Sequence, residues 1–223
     1  MTTTPTSTRL EPSQADPSRS SLPASKSESS DCSIRLATAE DAPAVSKLIS
    51  ETWSTLFGYS VSKQDLDTYL STSLSPETIR SEIQESNNVF ILAVTNSHST
   101  STPTPSGGRI KGEGNEDILG VSQLVVNSKS TPSSSTLDPE TSIELQRIYI
   151  SLKTHGKGLG SSLIRASEEK GRELGRKQIW LGVWENNEKA LKFYEKCEFK
   201  CVDEKVFYAG SSRRRDLVMV KDL

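Results

Sequence analysis

Apolar residues along the chain fall into short runs separated by polar stretches, and the period of each run indicates its element. Ile34 to Leu36 predicts a short strand, and Thr38 followed three residues later by Asp41 has the capping-box spacing of a helix start. Val45, Leu48, Ile49, Thr52, Trp53 and Leu56 then recur at helical spacing until Gly58, where the chain is expected to turn. A second helix is predicted around Leu66, Tyr69 and Leu70, and Ser75-Pro76-Glu77 opens a third through Ile79 and Ile83. Val89 to Thr95, Ile118 to Val126 and Ile143 to Ile150 read as strands, the first two as arms of a long-looped hairpin. Leu159, Leu163 and Ile164 begin an amphipathic helix that ends near Gly175, and Ile179 to Val183 returns as a strand. That order implies a parallel pair joined by a crossover helix. Asn187 caps a last helix through Ala190, Leu191 and Phe193 to about Cys197, with strands near Phe199 to Tyr208 and Asp216 to Val220 after it. The class is mixed α/β with a central sheet.

The stretches between the runs are of a different character. Residues 1–33 contain many Ser, Thr and Pro but few strongly apolar side chains, too little burial to offset the entropy of ordering them, so they read as a disordered tail. Its acids Glu11, Asp16, Glu28 and Asp31 argue against a mitochondrial transit peptide. Residues 97–116 and 128–142 share this composition and read as flexible insertions, leaving about 155 residues for one domain, ample for a single core. The hydrophobic fraction of 33% fits such dilution. Twenty-seven Lys and Arg face 29 Asp and Glu, a net charge of −2, so bulk attraction to nucleic acid is disfavoured. No apolar run approaches the about 18–20 residues that span a bilayer, and no secretory signal opens the chain, so a soluble, cytoplasmic protein is expected. Cys32, Cys197 and Cys201 are too few for a disulfide framework and point to a reducing compartment; with only His98 and His155 beside them, no metal site is expected. Cys197 and Cys201 read as buried thiols.

The most informative segment is His155-Gly156-Lys157-Gly158-Leu159-Gly160-Ser161, with a strand before it and a helix after it. Glycines there let a ligand approach the backbone, and free N–H groups at the helix start attract phosphate oxygens. The spacing is not that of a Walker loop, which needs Gly-Lys-Ser/Thr at its end. Nor is it a Rossmann fingerprint, whose third glycine would stand at Ser161. Between Glu144 and Lys200 basic residues outnumber acidic ones by four, with Lys153, Lys157 and Arg165 placed to stand around the turn.

These residues resemble the GNAT superfamily of acetyl-CoA-dependent N-acetyltransferases. The resemblance is carried by Glu144-Leu145-Gln146-Arg147-Ile148-Tyr149-Ile150, by the turn from His155 to Gly160, and by Asn187-Glu188-Lys189-Ala190-Leu191-Lys192-Phe193-Tyr194. The run from Ile179 to Asn187 is similar to the bacterial branch that acetylates polyamines. The family usually begins its turn with Gln or Arg where this chain has His155. The resemblance implies a mostly antiparallel central sheet, flanked by helices, with a V-shaped splay between two parallel strands. It implies acetyl-CoA as co-substrate, a small-molecule amine as acceptor, and a homodimer as the assembly that members often form. Backbone groups of the Ile148-Tyr149-Ile150 strand would contact the pantetheine arm, His155 to Ser161 (Gly156, Lys157, Gly158, Leu159, Gly160) the pyrophosphate, and Asn187 the arm from the facing helix. A plain helix cap is compatible with that role for Asn187.

Acetyl transfer to an amine must take a proton from an ammonium of pKa about 10.4 and return one to the leaving thiolate. By resemblance Tyr194 is the general acid and Glu144 the carboxylate that takes the amine proton. On a regular strand Glu144, Gln146, Ile148 and Ile150 share a face unless a bulge intervenes, as the family usually has. Trp53, Phe57, Tyr59 and Tyr69 lie where the family builds its acceptor pocket, either cradling a cation or packing as core. Arg213-Arg214-Arg215 reads as a solvated hairpin turn, with contact to the coenzyme's ribose phosphate as the alternative. The alternatives are an enzyme acting on a protein N-terminus or lysine, and a non-catalytic coenzyme-binding module working through its Ser/Thr-rich segments.

Overall fold

The computed structural model describes residues 32–96, 116–132, 137–209 and 211–223. The expected tail, apart from its last two residues, and almost all of the first insertion lie outside the described residues. Seven strands among these described residues form one sheet: β1 Cys32–Leu36, β2 Asn88–Thr95, β3 Ile118–Val126, β4 Ser142–Ile150, β5 Gln178–Trp184, β6 Lys200–Ala209 and β7 Ser212–Asp222. Their order is β1-β2-β3-β4-β5-β7-β6, with β4 and β5 parallel and every other pair antiparallel. This is the mostly antiparallel sheet with one parallel pair that the sequence led us to expect.

Among the described residues five α-helices cover the sheet: α1 Ala42–Phe57, α2 Lys63–Thr72, α3 Pro76–Gln84, α4 Leu159–Glu173 and α5 Glu188–Lys196. Ser62 and Ser75 start α2 and α3, each hydroxyl accepting a backbone N–H at 3.1 Å from three residues on. α1 ends at Gly58 as expected; Gly58 opens a single 3-10 turn with φ of −56° and so does not use the left-handed region. Its bare Cα instead gives room to Leu66, whose Cδ2 would lie 3.3 Å from an added Cβ.

Strands buried on both faces explain the unbroken apolar runs. Phe90, Leu92 and Val94 of β2 pack with Val45, Ile49, Trp53 and Ile79 of α1 and α3, while Ile91 and Ala93 face the opposite core with Leu163 and Ile164 of α4 and Tyr194 of α5. A third small cluster joins Leu137 to Trp180, Val218 and Val220, so a residue of the second insertion belongs to the core.

β4 departs from regular pairing. Its register against β3 slips between Gln123↔Arg147 and Leu124↔Leu145, leaving Gln146 as an inserted residue. One extra residue inverts the alternation: Ile143 and Leu145 before the bulge and Ile148 and Ile150 after it all face the α4 core, whereas Tyr149 joins the α1 core. Glu144 therefore does not share a face with Ile148 and Ile150, as a regular strand would have it.

Gly120 marks a close approach of α4 to the sheet. A Cβ there would meet Ile150 Cδ1 at 2.9 Å, Leu163 Cδ1 at 3.0 Å and the Tyr149 carbonyl oxygen at 3.1 Å. Gly120→Ala is expected to lower the unfolding free energy by about 1–3 kcal/mol, read as a lower urea midpoint at unchanged slope.

Candidate active site

β4 and β5 are joined by only three residue pairs, Ser142↔Gln178, Ile143↔Ile179 and Glu144↔Trp180. Beyond Glu144 the strands part, β5 keeping β7 on its other side as far as Trp184↔Asp216. A cleft of about 1530 Å³ opens between them. Its walls include Glu144, Ile148, Tyr149, Ile150, His155, Gly156, Gly158, Leu159, Gly160, Ser161, Asn187 and Tyr194. Lys157 alone of the predicted site residues is not in the wall, and its side chain is exposed.

At one end lies the glycine turn. β4 gives way to a 3-10 turn, Leu152–Thr154, and His155 Nε2 lies 3.0 Å from the Ile150 carbonyl oxygen, so this histidine ties the turn to the strand that feeds it. Gly156 and Gly158 have φ of +82° and +80°, and a Cβ on either would have nothing within 4 Å. Gly158 starts α4 without a side-chain cap. Exposed left-handed backbone followed by the uncapped N–H groups of a 15-residue helix fits a pyrophosphate. Gly160 is needed for another reason: an added Cβ would lie 3.2 Å from Phe193 Cζ, where α5 approaches α4.

On the facing wall Asn187 Oδ1 accepts the Ala190 N–H at 3.2 Å, so the cap is made by a residue that also borders the cleft. Two turns on, Tyr194 is 8% exposed between Phe193 and Phe199. Burial holds its phenol above the ordinary tyrosine value, so it keeps its proton at neutral pH. At the apex Glu144 is 2% exposed and accepts from Ser128 Oγ, from Ser130 Oγ at 2.8 Å and from Lys205 Nζ at 3.1 Å. Lys205 also lies 4.8 Å from the Trp180 ring centroid, and a Cβ on Gly182 would sit 2.6 Å from its Cε and 3.4 Å from Asp216 Oδ2. Gly182 thus leaves the space through which Lys205 reaches the apex.

The aromatic wall takes up both of its expected roles, core packing and cation contact. Trp53 is core, 4.9 Å from Tyr69 between ring centroids. Phe57 and Tyr59 both face Trp184 at 6.2 Å. The cation on these rings is the protein's own: the Arg214 guanidinium lies 4.0 Å from the Trp184 centroid and 5.3 Å from that of Phe57. The three arginines are therefore not a hairpin turn. β7 runs through them with period 2, burying Arg214 and leaving Arg213 and Arg215 outside, Arg215 paired with Glu185 and Glu204. Cys201 is exposed, not buried. Asp65 holds α2 to the β6–β7 connection by accepting from Ser212 Oγ at 2.7 Å, Ser211 N at 2.7 Å, Ser62 Oγ at 2.9 Å and Ser211 Oγ at 3.1 Å. These donors, Ser212 first, draw its pKa down to about 2, so the clasp weakens only as pH falls below about 4 toward that value.

The sequence profile of the acetyltransferase (GNAT) family matches residues 81–199. The chain belongs to that family. It is an acetyl-CoA-dependent N-acetyltransferase, with acetyl-CoA as its acyl donor. An uncharacterized N-acetyltransferase from the pepI 3′ region of Lactobacillus delbrueckii subsp. lactis is 28% identical over 184 residues, covering 82% of this chain and 93% of that protein. Among solved structures, the PaiA N-acetyltransferase of Thermoplasma acidophilum in complex with coenzyme A superposes with a TM-score of 0.59 at 19% identity, covering 86% of this chain and 99% of that one. NAA60 of Arabidopsis thaliana, in complex with a bisubstrate analogue, gives 0.57 at 13% identity, with the same two coverages. These two likenesses show the fold.

Gly158→Ala forces a side chain into the left-handed region at the head of α4. It is expected to weaken coenzyme A binding about tenfold or more by calorimetry while costing about 1–2 kcal/mol of stability.

Proposed function

We propose that this enzyme acetylates a small primary amine, of which polyamines are one class, by direct attack of the amine on the thioester in a ternary complex. The observation that carries this reading is the shared cleft: one continuous cavity is bordered by the glycine turn, the unpaired arm of β4, Asn187 and Tyr194. Acetyl-CoA supplies the activated acyl group, and this chain supplies placement and protons. The backbone of residues 156–161 holds the pyrophosphate, and the open edge of β4 at Ile148 and Ile150 holds the arm that leads to the thioester. Tyr194 donates its phenolic proton to the departing sulfur; its burial supports this by keeping the proton on the oxygen.

Glu144 takes the amine proton, directly or through water. A carboxylate has about four acceptor positions and three are filled here, so one remains for that proton's path. Lys205 and the two serines hold the carboxylate in place at the point where the strands part. Cys197 and Cys201 have no part in this scheme, which needs no acetylated cysteine; Cys197 is partly buried with its thiol pKa pushed up, the reverse of what a nucleophile needs.

Thiol release from acetyl-CoA, measured against polyamines, monoamines, amino acids and short peptides, tests the reading. Tyr194→Phe is expected to lower kcat about 10²-fold or more with coenzyme A affinity retained. Because burial raises the phenol, the wild-type rate should show no fall as pH rises to 10, where an ordinary tyrosine of pKa about 10 would be losing its proton. An unchanged rate in Tyr194→Phe removes the acid role, and an acetylated cysteine trapped during turnover removes direct attack.

A further inference from the structure

We propose that the acceptor carries a carboxylate as well as its amine, and that Arg214 binds it, making a free amino acid or a close relative the substrate class. This deepens the acetyl-transfer reading and rests on it. Arg214 is 8% exposed and lines the cleft, yet among the described residues its guanidinium makes no hydrogen bond and no ion pair. Its Nε is buried without a hydrogen-bond partner. Elsewhere the buried and half-buried cations of this cleft are matched: Arg147 by Glu82 and Gln123, Lys205 by Glu144. An arginine cannot shed its charge to relieve such burial, so a desolvated guanidinium without an acceptor is a cost that a bound anion would offset.

The surroundings fit a carboxylate and not a second cation. Phe57 and Trp184 hold the guanidinium from its face, fixing the plane of its donor fork. A planar fork pairs with a carboxylate through two parallel hydrogen bonds. Asp216, two residues along β7 on the same side, acts on Arg214 by its charge but makes no hydrogen bond to it, and it stands close to Lys205 across Gly182. A polyamine would have to bring its ammonium groups to rings already occupied by a positive charge. Of the acids in the wall, Glu82, Glu144 and Glu188 each have a cationic partner, and Asp216 is buried under the charges of Lys205 and Arg214.

Matched acceptors that differ by one carboxylate decide the question: lysine against 1,5-diaminopentane, ornithine against 1,4-diaminobutane, phenylalanine against phenethylamine. The carboxylate-bearing member of at least one pair is expected to have a kcat/KM about tenfold or more higher. Arg214→Gln should collapse that ratio toward one, mainly through KM, and Arg214→Lys should restore part of it; this control also removes the effect of the carboxylate on the basicity of the amine. A preference for the decarboxylated member in every pair, or a ratio unchanged in an Arg214→Gln protein that still binds coenzyme A, overturns the proposal. Calorimetry on the wild type with coenzyme A present, comparing N-acetylphenylalanine with N-acetylphenethylamine, reads the same contact without turnover. Tighter binding of the former supports the proposal and equal binding refutes it. A chain that releases no thiol would therefore sink the acetyl-transfer reading, while the binding comparison would still decide whether Arg214 takes a carboxylate.

Discussion

Hydrogen bonding between β4 and β5 stops after three residue pairs, and the functional architecture follows from that interruption. A parallel pair inside a sheet normally satisfies its backbone along its whole length, because an unpaired buried N–H or carbonyl costs about as much as a lost hydrogen bond. Here the far halves of both strands give up that pairing on facing edges while keeping β3 and β7 on their outer sides. The result is a sheet edge in the middle of a sheet, lined with donors and acceptors and open to a ligand. The bulge at Gln146 sits just past the last pair and turns the α4-facing alternation over, so that Ile148 and Ile150 rejoin the core beneath while their backbone borders the cleft.

Charge is distributed unevenly along this opening. At the apex a single ammonium, Lys205, serves Glu144 directly and stands close to Asp216, with the Trp180 face beneath it. Burial raises Asp216, and Lys205 and Arg214 pull it the other way. Toward the aromatic wall Arg214 is held by rings and left without an acceptor among the described residues. At the glycine turn the positive end is not a side chain but the start of α4. The cleft thus combines one compensated centre with two regions that favour anions.

Much of one wall was legible in the sequence because its determinants are local. The glycine spacing at 156, 158 and 160, the Asn187 cap and Tyr194 seven residues later each define their geometry within a turn or two of chain. Helix and strand periodicity placed the elements for the same reason. Other features depend on partners far away in the chain. Lys205 reaches Glu144 across 61 positions through a gap left by Gly182, and no local pattern encodes that meeting. Arg214 reads as a solvated turn until β7 is seen to begin at Ser212, after which simple alternation buries it. The face of Glu144 depends on a one-residue insertion that hydrophobic pattern alone does not locate.

The two walls of the cleft are drawn from different parts of the chain. The glycine turn, the open edge of β4 and Tyr194 all fall within residues 81–199, the stretch shared with the family at large. Phe57, Tyr59, Tyr69, Lys205, Phe207 and Arg214 come from before and after it, joined by the Asp65 clasp between α2 and the β6–β7 connection. On the proposed reading the coenzyme wall and most of the acceptor wall lie on separate segments, with Glu144 and Trp184 of the family stretch completing the acceptor side. Substitutions in the flanks would then reshape the acceptor side of the cleft while leaving the glycine turn, the open edge of β4 and Tyr194 in place.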